Sequence, residues 1–495
     1  MSKNSLLITC IVLSGFAISP PGLHAELSEK MVDPIGNISF ETTDSLMTQR
    51  AMLVKELDTE APVMTVPTED AWWLQFNDPT LNRLIDSASE RNLNLLSAIH
   101  SIQASRYSLQ AIRSGYYPTL SASAMYQAGQ SSGATMKGKP TSPVAENYVG
   151  LGLDLSWEID IFGRIRKQYE AGKASYNATR AEYVATLTSL CAQVASTYFD
   201  LIAARELYNT AESHLESEQE ILRITEVRME TGLSSKLDVT QALTVVLDTK
   251  SSLPTLKSRI EGDIDMLALL TNVDRNEIKS WITTSSLPDI TSAMVTAIPS
   301  DLIRRRPDVA EAEYNLAAAC AKAGLAKKDW LPTLSLSASI STDAHAAKNL
   351  FSGNSLTYSV TPTLAWTVFD GFQRKYSIAE AKADVLSAAD TYDYTLASAR
   401  QEISTYTNDY LCLIEEIDIL KQAVATSEES VTLSLDLYKS GLGTFTNVVD
   451  AQVSWLSYEN SVISAKYSAL SALTTLYRAL GGGWNGVLPQ PFINK

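Results

Sequence analysis

Two aspartates stand at related places in this chain, Asp238 six residues after Gly232 and Asp450 nine residues after Gly441. On helices lining a passage, several copies of such carboxylates would form an acidic ring able to attract and gate cations. The same side chains would also suit the first turn of a helix, where a carboxylate meets the positive end of the dipole. Spacing alone leaves both uses open. No bond-making group accompanies them. The histidines are His24, His100, His214 and His345, and none has an HExxH or Cys-His spacing. His100, His214 and His345 read as solvent-facing side chains, not ligands. A GxSxG elbow, a phosphate-cradling glycine loop and a CxxC pair are all missing. No enzyme, cofactor or metal is therefore expected. Cys191, Cys320 and Cys412 lie far apart and read as small buried hydrophobes rather than a disulfide frame.

Bulk charge excludes one class of partner. The formal net charge is −16, and nucleic acid requires a basic footprint. Residues 1–25 have the order of a secretory signal: Lys3, an apolar run from Leu6 to Ile18, then Pro20, Pro21 and Ala25. Cleavage between Ala25 and Glu26 is expected. Cys10 lies inside that run and lacks the small preceding residue of a lipidation site. Past the run, no stretch reaches the roughly 18 apolar residues of a membrane-spanning helix. Membrane entry would have to use β-strands.

The chain repeats itself. Tyr117-Pro118-Thr119-Leu120-Ser121-Ala122-Ser123-Ala124 matches Leu331-Pro332-Thr333-Leu334-Ser335-Leu336-Ser337-Ala338, Trp157 with Gly163 matches Trp366 with Gly371, and Gly232-Leu233-Ser234 matches Gly441-Leu442-Gly443. Three matches in order at nearly one shift indicate a duplication. Each half reads helix, strand, strand, long helix, reversal, helix.

Strand alternation is clearest at Val149, Leu151, Leu153, Leu155 and Trp157, interleaved with Gly150, Gly152, Asp154, Ser156 and Glu158. It recurs at Leu334, Leu336, Ala338 and Ile340 among serines, and at Tyr358, Val360, Pro362, Leu364 and Trp366. A soluble antiparallel sheet would show the same pattern. Export, strands of about 10 residues and aromatic ends favour membrane β-strands. Pro362 cannot donate to a ladder and belongs at an edge or bulge. Four such strands cannot close a barrel, for which about eight are needed, so the barrel must be shared between subunits.

After the second hairpin, residues 373–440 contain no proline and no glycine; after the first, residues 164–231 contain only Gly172. Either run could extend about 100 Å as one helix. Ile378, Ala381, Val385, Ala388, Tyr392, Leu396, Ala399, Ile403, Tyr406 and Tyr410 recur at helical spacing, as in bundles and coiled coils. Gly232 and Gly441 suit the left-handed turn of a helical hairpin. The returning helices read as 237–271, interrupted by Pro254 and Gly262, and 445–480.

Four segments then resemble a known family. They are Trp72-Trp73-Leu74-Gln75-Phe76-Asn77-Asp78-Pro79-Thr80-Leu81, Trp157-Glu158-Ile159-Asp160-Ile161-Phe162-Gly163-Arg164, Ile298-Pro299-Ser300-Asp301-Leu302-Ile303-Arg304-Arg305-Arg306-Pro307-Asp308-Val309 and Trp366-Thr367-Val368-Phe369-Asp370-Gly371. The chain resembles the TolC-like outer-membrane efflux proteins, in particular those serving resistance-nodulation-division (RND) pumps. The resemblance implies an α+β membrane protein: a homotrimer with a 12-stranded barrel, four strands per chain, continuous with a periplasmic α-barrel of coiled-coil helices. It implies outer-membrane lipid, a periplasmic adaptor and an inner-membrane pump as partners, in a Gram-negative envelope. By matching positions it puts adaptor docking at Gly232, Leu233, Ser234 and Ser235 and at Gly441, Leu442, Gly443 and Thr444. It puts the tip constriction at Asp238 and Asp450, with Asn447 and Gly443 standing where the compared pattern has an aspartate and an arginine. Tyr438 matches a tyrosine of that latch. The organisation so read is a signal at 1–25, an extended segment at 26–78, a first repeat at 79–290 with its β-hairpin at about 117–160 and its tip near 232, a second at 299–481 with its β-hairpin at about 331–369 and its tip near 441, and a tail at 482–495. The function implied is a passive efflux duct; a trimeric surface stalk or adhesin, or the duct of a type I secretion system, are the alternatives.

Overall fold

The computed structural model describes residues 71–131, 144–290 and 306–482. The signal segment with its Ala25-Glu26 cleavage site, Cys10, the residues from Ile298 to Arg305 and the tail beyond 482 lie outside the described residues.

The first half runs α1 (Pro79–Arg91), α2 (Leu93–Arg113), β1 (Thr119–Ser131), β2 (Val144–Ile159), α3 (Arg164–Glu230), α4 (Lys236–Thr271) and the short α5 (Arg275–Trp281). The second runs α6 (Pro307–Lys328), β3 (Thr333–Ala344), β4 (Leu356–Ala365), α7 (Gln373–Lys439) and α8 (Phe445–Ala479). The duplication is exact in its largest element, since α3 and α7 each hold 67 residues, about 100 Å of helix.

The strands form one antiparallel sheet in the order β1-β2-β3-β4. The two halves are thus joined by the β2–β3 ladder, from Val149 opposite Ala344 to Ile159 opposite Leu334. Register aligns Leu120, Leu155, Ala338 and Val360 in one row across the sheet, and Ala122, Leu153, Ile340 and Tyr358 in another. Residues on these rows remain bare: Leu120 is 68% exposed, Val360 66% and Tyr358 78%. An apolar sheet face left uncovered by its own chain is the opposite of a soluble core sheet, and suits lipid. Polar rows alternate with it, and Ser339 and Ser359 share a hydroxyl hydrogen bond of 2.8 Å. Pro362 lies on β4, at the end of the strand order, where a missing N–H is tolerated.

The Trp-Asp-Gly segments turn strand into helix. Trp157 donates its indole N–H to the Tyr116 carbonyl and Trp366 donates to that of Trp330, both at 3.0 Å, so each tryptophan ties the end of a hairpin to its start. Gly163 (φ 76°) and Gly371 (φ 66°) then take the left-handed backbone that admits the helix. Asp160 accepts from the Ile165 and Arg166 amides, and Asp370 from the Arg374 amide, satisfying first-turn donors. Glu158 holds Arg164 through two bonds of 2.8 and 2.7 Å.

The main core gathers α1, α3, α4, α7 and α8 around Leu84, Phe199, Leu267, Tyr410 and Leu473. The first motif is pinned into it. Residues Trp72–Phe76 form a 3-10 turn, not an extended strand, and Trp72 stacks on Tyr477 at 5.1 Å between centroids. Asp78 caps α1 by accepting from the Thr80 amide and also accepts from the Tyr198 hydroxyl at 2.6 Å. Arg306 is buried at the start of α6, bound to Asp308, Glu402 and the Ala479 carbonyl.

Two expectations need correction. Helix α4 runs unbroken through Pro254 and Gly262, because its packing along α3, through Ala242, Val246, Ile264, Leu267 and Leu270, outweighs one lost backbone bond. Of the cysteines, Cys191 is buried, its thiol pushed up to about 12 by burial, and Cys320 is half-buried, but Cys412 is exposed, two residues off the buried stripe at Tyr410.

Candidate functional site at the helical tips

Each long helix ends in the same way. At the first tip, Gly232 takes φ 77°, and the Leu233 amide reaches back to the Arg228 carbonyl at 2.7 Å. At the second, Gly441 takes φ 72°, and the Leu442 amide reaches the Leu437 carbonyl at 2.9 Å. This is the glycine-terminated helix end in which a left-handed residue lets the next amide satisfy a last-turn carbonyl. The following leucines point outward: Leu233 is 67% exposed and Leu442 80%. Two equivalent apolar knobs thus stand at the tips.

The returning helices start differently. Ser235 and Asp238 form a reciprocal capping box, the Asp238 amide donating to Ser235 Oγ at 3.2 Å and the Ser235 amide donating to Asp238 Oδ2 at 3.3 Å. Helix-end charge, one of the two uses open for Asp238, is therefore realised. Thr444 precedes α8 with no side-chain cap. Asn447 occupies the position equivalent to Asp238, and only its amide bonds back, to the Thr444 carbonyl at 3.3 Å.

Between the tips lies one contact that joins the halves of the chain. Tyr438, in the last turn of α7, is 4% exposed and packs with Ile221, Ala242, Phe445 and Val448. Its ring lies 5.1 Å from that of Phe445, and its hydroxyl points to Asp238 Oδ2 at 3.5 Å, a long and weak bond. The Arg228 guanidinium sits 4.8 Å over the same ring and donates to the Lys439 carbonyl at 2.9 Å. Ser234 Oγ donates to the Thr225 carbonyl at 3.1 Å, holding the first turn down. Asp238 and Tyr438 are thus brought together. Asp450 and Asn447 are exposed on α8, on the side that its buried Phe445, Val448 and Gln452 leave open.

Arg228 was not anticipated. The compared pattern suggests an arginine at position 443, which is glycine here, while this chain brings a guanidinium to the tyrosine from the other hairpin. A basic residue in the last turn of a long helix was the available signal. His214 is the second surprise and a correction. It is 5% exposed, not solvent-facing, because its ring packs 4.3 Å from Trp455 and its Nε2 lies 2.6 Å from Glu459 Oε2. No sequence periodicity couples positions so far apart on two different helices.

Residues 84–272 and 298–482 match the family model described as outer membrane efflux protein. The chain is 28% identical over 419 residues to the probable efflux pump outer membrane protein TtgC of Pseudomonas putida, covering 84% of this chain and 86% of that one. It is 29% identical over 409 residues to the outer membrane protein OprJ of Pseudomonas aeruginosa, covering 82% and 85%. Among solved structures, the outer-membrane channel OprN superposes with a TM-score of 0.80 at 29% identity, over 86% of this chain and 98% of that one. With a duplicated hairpin-and-helix fold, a bare apolar sheet face and a family match covering both halves, the chain belongs to the outer membrane efflux protein family, and is an outer-membrane efflux channel.

Proposed function

We propose that three copies of this chain assemble into a 12-stranded outer-membrane barrel continuous with a periplasmic helical tunnel, and that this duct serves an RND-type pump through a periplasmic adaptor. The observation that carries the reading is the four-stranded sheet: it presents an uncovered apolar face, while β1 and β4 stand at its two ends. In lipid an open edge leaves backbone groups unpaired, and pairing β4 of one copy with β1 of the next removes both edges. Threefold repetition reaches the strand number the family resemblance implies.

The tips are the docking and closing end. Adaptor contact falls on Gly232-Leu233-Ser234-Ser235 and Gly441-Leu442-Gly443-Thr444, where Leu233 and Leu442 offer apolar knobs on rigid turns. Closure rests on Tyr438, held by Asp238, Arg228 and Phe445, with Asp450 and Asn447 facing the passage beside it. The duct is passive, so the choice of exported compound lies with the pump; efflux of drugs or other small molecules fits this role.

The test is conductance of the purified protein in planar bilayers, with subunit stoichiometry measured by native mass spectrometry. A trimer with a low resting conductance that rises in Asp450→Ala supports the reading. A monomer, or no pore under any opening condition, overturns it. For docking, Leu233→Glu should weaken adaptor capture while leaving the trimer intact; unchanged capture would remove the tips from the interface.

A further inference from the structure

A second junction between the halves of the chain is made by His214 of α3 with Glu459 of α8, and one turn along α3 from it stands Glu218. Glu218 is 3% exposed. Its Oε1 accepts a hydrogen bond from the Thr249 hydroxyl of α4 at 2.9 Å, while Oε2 is buried and meets no donor. The imidazole that faces this cluster is engaged elsewhere, His214 Nε2 lying 2.6 Å from Glu459 Oε2 of α8. The Glu218 side chain borders an open groove of about 400 Å³ between α4 and α8, lined also by Asp248, Thr249, Ser457, Asn460 and Ser461. No lysine, arginine or histidine is among the groove's lining residues. Burial, and then the charge of Asp248, raise the pKa of the Glu218 carboxyl, against the opposing hydrogen bond from Thr249 and the charge of His214.

A buried carboxylate oxygen without a donor is expensive. Protonation does not remove that cost, because the new hydroxyl would itself need an acceptor. A second carboxylate beside it makes the deficit one of positive charge. We propose that the groove binds a hard divalent cation of the calcium class, with Glu218 and Asp248 as anionic ligands and the oxygens of Ser457, Asn460 and Ser461 with water completing its shell. Oxygen donors with no imidazole or thiolate among the lining residues select hard cations over those that prefer nitrogen or sulfur. No described group gathers three or more His, Cys, Asp or Glu side chains for a metal. Two carboxylates with neutral oxygens instead correspond to a weak site, with Kd about 10⁻⁴–10⁻³ M, the range of extracellular calcium modules. The anionic ligands come from the first helical hairpin and the neutral ones from α8, so the bound ion ties the two halves together above the tips.

The full-length protein, purified in detergent without calcium, tests this with terbium(III) as a luminescent calcium probe. The indole of Trp455, next in sequence to groove-lining Leu456, serves as the sensitiser. Expected is terbium emission excited through tryptophan, displaced by calcium, and binding weakened about tenfold or more by Asp248→Asn and by Glu218→Gln through loss of ligand charge. Trp455→Phe should remove most of the emission and keep the calcium-dependent rise in unfolding temperature. Asp248 is exposed, so its neutral variant folds and decides the matter if Glu218→Gln does not. Emission and calcium-dependent stabilisation that are the same in wild type and Asp248→Asn would overturn the site, as would wild-type protein showing neither.

Discussion

The hydroxyl of Tyr438, on the last turn of α7, lies 3.5 Å from Oδ2 of Asp238, on the first turn of α4. These residues come from opposite halves of a duplicated chain, so this pair ties one helical hairpin to the other at the end farthest along the chain from the strands. Arg228 and Phe445 also pack against the ring.

Removing the hydroxyl should loosen the tip with little effect on folding. Tyr438→Phe is expected to cost about 1 kcal/mol or less, since a bond to a carboxylate, worth about 1.5–3 at good geometry, is weakened by its 3.5 Å length. Tyr438→Ala empties the site of a buried ring and should cost about 3–5 kcal/mol. Single-channel recording is expected to give a small rise in conductance for the first and a large one for the second. Equal, wild-type conductance in both would separate this contact from gating.

The turn glycines carry a backbone demand. Gly232→Val or Gly441→Val forces a β-branched residue to positive φ, at about 1–2 kcal/mol each. A Cβ at either position meets nothing within 4 Å, so the cost is conformational and not steric crowding by neighbours. Thermal unfolding should register it, and the Gly→Asn variants, better suited to that backbone, should recover most of the loss.

Asp263 makes stability pH-dependent. Its carboxyl is pushed up to about 7, first by burial, then by the charge of Asp200, with Arg259 opposing, and its Oδ2 meets no donor. In the unfolded chain it would titrate at about 3.9. Below that value both states hold the proton. As pH rises toward 7 the unfolded state releases it first, so the native state binds more protons and stability falls. Unfolding temperature should drop between pH 5 and pH 8 by more in wild type than in Asp263→Asn; identical slopes would contradict the shift.

The hairpin ties are also measurable. Trp157→Phe removes the indole bond to the Tyr116 carbonyl and should cost about 1 kcal/mol or slightly more, as it leaves a half-buried carbonyl unpaired. Trp366→Phe removes the equivalent bond at an exposed site, where water replaces the donor, and should cost less. Comparing the two variants by urea titration of the purified protein gives the ordering.

Much of the fold was written locally. Alternation along 149–157 specifies a strand with one apolar face, because the side-chain period of two leaves no other consistent placement. Proline-free runs ended by Gly232 and Gly441 specify long helices and their reversals. Pro254 misled for the same reason, since propensity is a local quantity and the packing of α4 along α3 is not. The capping box at Ser235 and Asp238 was within reach, its partners being three residues apart.

What the sequence by itself determined, then, is the set of elements, their duplication, and the family motifs that sit where strand passes into helix. Tertiary structure alone decided which distant side chains meet: Tyr438 with Asp238 and Arg228, His214 with Trp455 and Glu459, Glu218 with Thr249. Each of these depends on the axial register of one long helix against another. Along α3 and α7 a shift of one turn moves a side chain about 5.4 Å, more than the reach of a hydrogen bond, while preserving much of the same apolar periodicity. Periodicity therefore names the face that is buried, and only the packed helices say what it is buried against.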